Sequence, residues 1–125
     1  MTACVLDASA VFAFYYGEKG GEVLAPLLGS ALISSVNFSE VEAKLIDLEL
    51  AYDQELSAAL FKEIVPFDLP QAKGAAGLIK LTRPFGLSFG DRACLALALS
   101  KGLPVYTADR IWSKLNLPIK IHLLR

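Results

Sequence analysis

Ala3-Cys4-Val5-Leu6-Asp7-Ala8-Ser9-Ala10-Val11-Phe12 decides the fold. Four short apolar residues come first, and the spacing then changes so that Asp7 stands where a strand gives way to a helix. The same change recurs outward from this point. Ala31-Leu32-Ile33-Ser34-Ser35-Val36 is a second strand candidate, with Asn37 at the N-cap position of a helix running through residue 50. Residues 22–28 have the spacing of a short helix ending at Gly29. Asp53 is placed to cap a helix through residue 62, and 64–67 reads as a strand that Pro66 confines to a sheet edge. Residues 70–81 are helical in pattern although Gly74 and Gly77 weaken it, and Arg83-Pro84-Phe85-Gly86 reads as a loop. Ser88 opens the most apolar helix, which stops at Gly102. A fourth strand over 103–106, a short helix over 109–115 and a last strand over 119–123 complete the series.

Strands and helices alternate throughout, and parallel neighbours need crossover helices, so the sequence predicts an α/β sandwich around a mostly parallel sheet. With 125 residues the chain fits one domain, 1–125, without internal repeat or linker. Its 54% hydrophobic content suits a sheet covered on both faces. Twelve basic residues face thirteen acidic ones, so a nucleic-acid contact would have to be local. No leader-like or membrane-spanning stretch stands out, which points to a cytoplasmic protein with Cys4 and Cys94 as buried thiols. Neither cysteine belongs to a C-x-x-C pair and His122 is the one histidine, which excludes a zinc site of ordinary spacing.

Asp7, Glu40, Asp91 and Asp109 all fall where strands give way to helices. In open parallel sheets, ligands bind outside the carboxyl ends of the strands, where strand order reverses. Adjacent strands would therefore bring these acids together. Each acid also has a plain structural use. Asn37-x-x-Glu40 and Ser88-x-x-Asp91 match a capping box, and Asp7 and Asp109 suit turns or helix N-termini. Glu42 competes with Glu40, but residues two apart on a helix project about 200° apart, so one points inward. Glu40 is nearer the strand end, leaving Glu42, Asp47 and Glu49 to solvent.

Clustered carboxylates repel one another unless a cation or proton intervenes, and an oxygen-only set points to a hard cation. Mg²⁺ or Mn²⁺ fits, since Mg²⁺ takes one or two carboxylates plus waters and leaves room for a phosphate oxygen. Calcium would want more protein oxygens. Ser9, Asn37 and Thr107 could orient the acids by hydrogen bonding, or cap helices. Arg92 and Arg110, beside two of the acids, are candidates for a local nucleic-acid contact, with Lys44, Lys80 and Arg83 further away; each could equally be solvated.

Leu6-Asp7-Ala8-Ser9, residues 34–40 (SSVNFSE), residues 87–98 (LSFGDRACLALA) and Val105-Tyr106-Thr107-Ala108-Asp109-Arg110 together resemble the PIN-domain family, particularly VapC-type toxins. The likeness extends over almost the whole chain and is weakest at 17–29. It implies that Asp7, Glu40, Asp91 and Asp109 are an acidic quartet, with Ser9 and Thr107 supporting, and with Asp7 and Asp91 foremost as direct ligands. It implies a three-layer α/β/α fold with a five-stranded parallel sheet, a homodimer, and often a small antitoxin in the active-site groove.

The expected activity is endoribonuclease cleavage of RNA in which a divalent ion acidifies a water and stabilises phosphate charge, as in the toxin of a toxin-antitoxin pair. The absence of histidine near the acids disfavours a Ser/His/Asp set. Two other classes stay open: a non-catalytic PIN-like binding or regulatory module, and an aspartate-based phosphotransfer enzyme, which would want an acid where Ser9 stands.

Overall fold

The computed structural model describes residues 3–125, so the first two positions of the expected domain lie outside it. Strands β1 (Cys4–Leu6), β2 (Ala31–Ser34), β3 (Glu63–Val65), β4 (Val105–Thr107) and β5 (Ile121–Leu123) form one sheet in the order β3-β2-β1-β4-β5. Every neighbouring pair is parallel, so the sheet is more uniform than the mostly parallel one expected. The helices are α1 (Ala8–Tyr15), α2 (Ser35–Asp47), α3 (Gln54–Ala59), α4 (Leu69–Gly77), α5 (Ile79–Thr82) and α6 (Phe89–Lys101).

Alternation along the strands divides the core into two layers. Cys4, Leu6 and Ile33 face one side, where they pack with Val11 of α1 and Val41 and Leu45 of α2. Val5, Leu32 and Val105 face the other, against Leu95 and Leu97 of α6 and the fully buried Trp112. Burying such a Leu or Ile side chain contributes roughly 1.5–3 kcal/mol. A sheet covered on both faces explains why β1 and β2 are apolar at every position but the last of β2. The result is the three-layer α/β/α sandwich expected.

The sheet grows from β1 through β2 to β3 on one side, then resumes with β4 and β5 on the other. Order therefore reverses between β1 and β4. Asp7 follows β1, and Thr107 to Asp109 close β4, so both flank that crevice at the carboxyl ends of the strands.

Some boundaries differ from the sequence reading. Residues 22–28 form no α-helix; 3-10 turns at Gly21–Leu24 and Leu28–Ser30 replace it. Gly20 has a left-handed φ of 90°, and Gly21 lies so close to the Ala13 carbonyl that no Cβ would fit. That close approach holds the segment against α1. Asn37 is not an N-cap, because α2 begins earlier and Ser34 Oγ accepts from the Val36 N–H at 3.2 Å. Helix α3 stops at Ala59 and the helix expected over 70–81 divides into α4 and α5. Arg110–Lys114 is a 3-10 turn capped by Asp109.

Candidate active site

Asp7 holds the N-cap position of α1 but makes no side-chain cap. Its carboxylate is drawn to the sheet instead. Oδ2 accepts from Ser9 Oγ at 2.6 Å and from Thr107 Oγ1 at 2.9 Å. Each hydroxyl is in turn fed by a backbone N–H of the loop after β4, Ala108 to Ser9 and Asp109 to Thr107. Such chains polarise and strengthen one another inside protein. The Ser9 and Thr107 hydroxyls lie 3.1 Å apart, so β1 and β4 are joined through one carboxylate oxygen.

Only 3% of Asp7 is exposed. Burial raises its pKa to about 6; the Ser9 hydrogen bond opposes the rise, the Asp91 charge adds to it, and the Thr107 and Ala8 hydrogen bonds oppose it. Asp7 and Asp91, far apart in sequence, therefore act on each other electrostatically.

Glu40 is set from α2. Asn37, fully buried one turn earlier, donates through Nδ2 to Glu40 Oε1 and to the Gly90 carbonyl, each at 2.9 Å. This fork ties α2 to the start of α6. Gly90 is required for the approach, since a methyl there would overlap the Glu40 carboxylate. Asp91 completes a capping box: Ser88 Oγ accepts from the Asp91 N–H at 3.2 Å, and Asp91 Oδ2 accepts from the Ser88 N–H at 2.8 Å. Asp109 is exposed, and its Oδ1 accepts from the Ile111 N–H.

Each of the four acids thus has a carboxylate oxygen engaged by hydrogen bonds from the chain itself. The buried Cys94 thiol, one turn after Asp91, registers three of them: burial first, then Asp7, Asp91 and Glu40, push its pKa well up. Asp109 exerts no such influence. Among the described residues no three His, Cys, Asp or Glu side chains stand close enough to hold a metal ion as they are. The acids are grouped at one end of the sheet without being drawn into a closed cage. The donor chemistry nevertheless suits Mg²⁺ or Mn²⁺, which takes few carboxylates and many waters. Asn37 Oδ1, beside them, is buried without a hydrogen-bond partner among the described residues.

Glu42 is not left to solvent. It is half-buried on the far side of α2, where it adds to the burial that raises the Tyr15 pKa and is the first cause of the rise at Tyr52. Those tyrosines line a cavity of about 240 Å³ that includes none of the four acids. Of the basic candidates, Lys44 lies over the Phe12 ring at 4.3 Å and Arg110 is exposed. Arg92 is half-buried and lies over Phe89. Phe67 and Phe89, in contact beside the site, were not singled out by sequence; their pairing joins β3's end to α6 across 22 positions.

The family described as PIN domain matches residues 4–117. No curated protein matches the sequence significantly. Among solved structures, the chain is similar to one in a toxin-antitoxin complex from Klebsiella pneumoniae, at 16% identity and TM-score 0.72, covering 94% of this chain and 99% of that one. FitAcB from Neisseria gonorrhoeae matches at 17% identity and TM-score 0.67, with 97% of both chains covered. VapBC-5 from Mycobacterium tuberculosis, a member of the VapBC family of toxin-antitoxin systems, matches at 23% and 0.64, covering 98% and 99%. Among the described residues no helix is long and apolar enough to cross a membrane.

Proposed function

Because the chain belongs to the PIN-domain family, we propose that it is an Mg²⁺- or Mn²⁺-dependent endoribonuclease, the toxin of a toxin-antitoxin pair. The observation that carries this reading is Asp7: a buried carboxylate at the strand-order reversal, held by two hydroxyls and coupled to Asp91. A carboxylate kept there at the cost of burial is poorly explained as a helix cap, since it caps nothing.

Asp7 and Asp91 would be the foremost ligands of the cation, with Glu40 and Asp109 completing the set. When bound, the cation supplies Lewis acidity, making water a better nucleophile and neutralising charge on the phosphate. The chain's own groups do the positioning. Ser9 and Thr107 fix Asp7, Asn37 fixes Glu40, and Ser88 fixes Asp91, so little reorganisation is needed when negative charge develops at phosphorus. Glu40 or Asp109 orients or deprotonates the attacking water.

The toxin-antitoxin descriptions of the structural relatives support a small antitoxin as partner, and we take the active form to be a homodimer of one-domain subunits in the cytoplasm. A non-catalytic PIN-like module is the competing reading, favoured by the separation of the four donors. One assay decides between them: cleavage of labelled single-stranded RNA with Mg²⁺ or Mn²⁺, against EDTA. Asp7→Asn and Asp91→Asn are expected to fold normally and lose cleavage. Variants as active as the parent would refute the assigned site.

A further inference from the structure

Phe89 is a large aromatic side chain, 51% exposed, in the first turn of α6. Exposure of such a ring calls for a reason when its surroundings hold it rigid. Phe67, just past the end of β3, packs against the core and meets Phe89 edge-on, with centroids 5.4 Å apart and planes at 90°. The Phe67 N–H is itself fixed to Ser35 Oγ at 3.0 Å. One ring is therefore anchored and supports the other. Arg92, one turn on, sets its guanidinium 5.9 Å from the Phe89 centroid. Among the described residues no carboxylate pairs with that cation, although Asp91 is its neighbour, and its Nε is buried without a partner.

The group adjoins the acids directly. Phe89 precedes Gly90, whose α-carbon faces the Glu40 carboxylate and whose carbonyl accepts from Asn37. It lies at the carboxyl end of the sheet, beside Phe67 just past the end of β3. A braced aromatic side chain, half of it open, stacks on a nucleobase without regard to its identity, and a guanidinium with no carboxylate partner set over the same ring binds the phosphate. A duplex keeps its base faces stacked and hidden, whereas single-stranded RNA presents them.

We propose that Phe89, braced by Phe67 and flanked by Arg92, is a stacking platform for one unpaired base of a single-stranded RNA next to the scissile phosphate. The proposal rests on the ribonuclease reading for its substrate. It assigns Phe89 a role in binding and register, with no part in the bond-breaking step.

The test uses single-stranded RNA carrying 2-aminopurine, whose fluorescence is quenched by stacking, placed in turn at each position around the cleavage site. With the full-length parent, one position is expected to be quenched on binding. Phe89→Leu is expected to lose the quenching and raise KM about tenfold while kcat changes less than twofold, the size of one lost base–aromatic stack. Phe89→Tyr should restore both. Asp7→Asn should keep binding and quenching while losing cleavage. Quenching and KM unchanged in Phe89→Leu, with the parent still cleaving, would overturn the platform and leave the nuclease standing. Quenched binding by a parent that never cleaves would do the reverse. Loss of self-association in Phe89→Leu, with RNA binding intact, would assign this face to a protein contact and overturn the proposal.

Discussion

Asp7 carries a charge conflict that can be measured without substrate. Its pKa near 6 lies above the ordinary Asp value, because burial and the Asp91 charge outweigh the Ser9, Thr107 and Ala8 hydrogen bonds. A carboxyl raised in the folded state binds its proton more tightly there than when unfolded. Its contribution to stability is therefore complete below about pH 4 and is lost as pH rises through about 6. At neutral pH the ionised, cation-free site costs ~3 kcal/mol by this linkage. Asp7→Asn keeps an acceptor for both hydroxyls and removes the charge. Without divalent ions it should match the parent near pH 4 and exceed its stability by up to about 3 kcal/mol at pH 7.5. Urea unfolding across that range is the measurement. A difference that does not change with pH would mean that Asp7 is neutral throughout or does not bear this strain.

Helix α6 shows how local structure and site are built from the same atoms. Ser88 and Asp91 cap each other, so one short motif both starts the helix and fixes the carboxylate. Ser88→Ala removes the acceptor of the Asp91 N–H and should cost about 1 kcal/mol of stability; by loosening the turn whose Ser88 N–H holds Asp91 Oδ2, it should lower cleavage on the order of tenfold. Ser88→Thr should retain both, and equal loss in the two variants would show that the hydroxyl is not what matters. The sequence makes this motif legible because its members are three residues apart. Asn37 is different. Ser34, Ser35 and Asn37 are all competent caps, and nothing local tells that Ser34 prevails or that Asn37 reaches Gly90, 53 positions on. Helical spacing sends Glu42 to solvent for a similar reason, since only the folded chain brings Tyr52 over α2. The helix expected over 22–28 fails because Gly20 and Gly21 serve a close approach that periodicity does not encode.

At the scale of the molecule, the alternation of strands and helices fixes the layers, but strand order decides whether the acids meet, and apolar runs carry no order. The observed reversal beside β1 brings Asp7 and Asp91 into electrostatic contact while Asp109 stays at the rim. A cation that binds only the folded state must then stabilise the whole domain by mass action. At a hundredfold excess over its Kd the gain is about 2.7 kcal/mol, which for a domain of this size is roughly 10 °C in Tm. Trp112, the single tryptophan and fully buried, reports global unfolding by its fluorescence. Melting followed at Trp112 should move upward with Mn²⁺ in the parent at pH 7.5 and much less in Asp7→Asn or Asp91→Asn. The shift should fade as pH falls through about 6, because Asp7 must give up its proton before it can act as a ligand. An equal shift in all three proteins would place the ion elsewhere on the surface and overturn the assignment of the acids as its ligands.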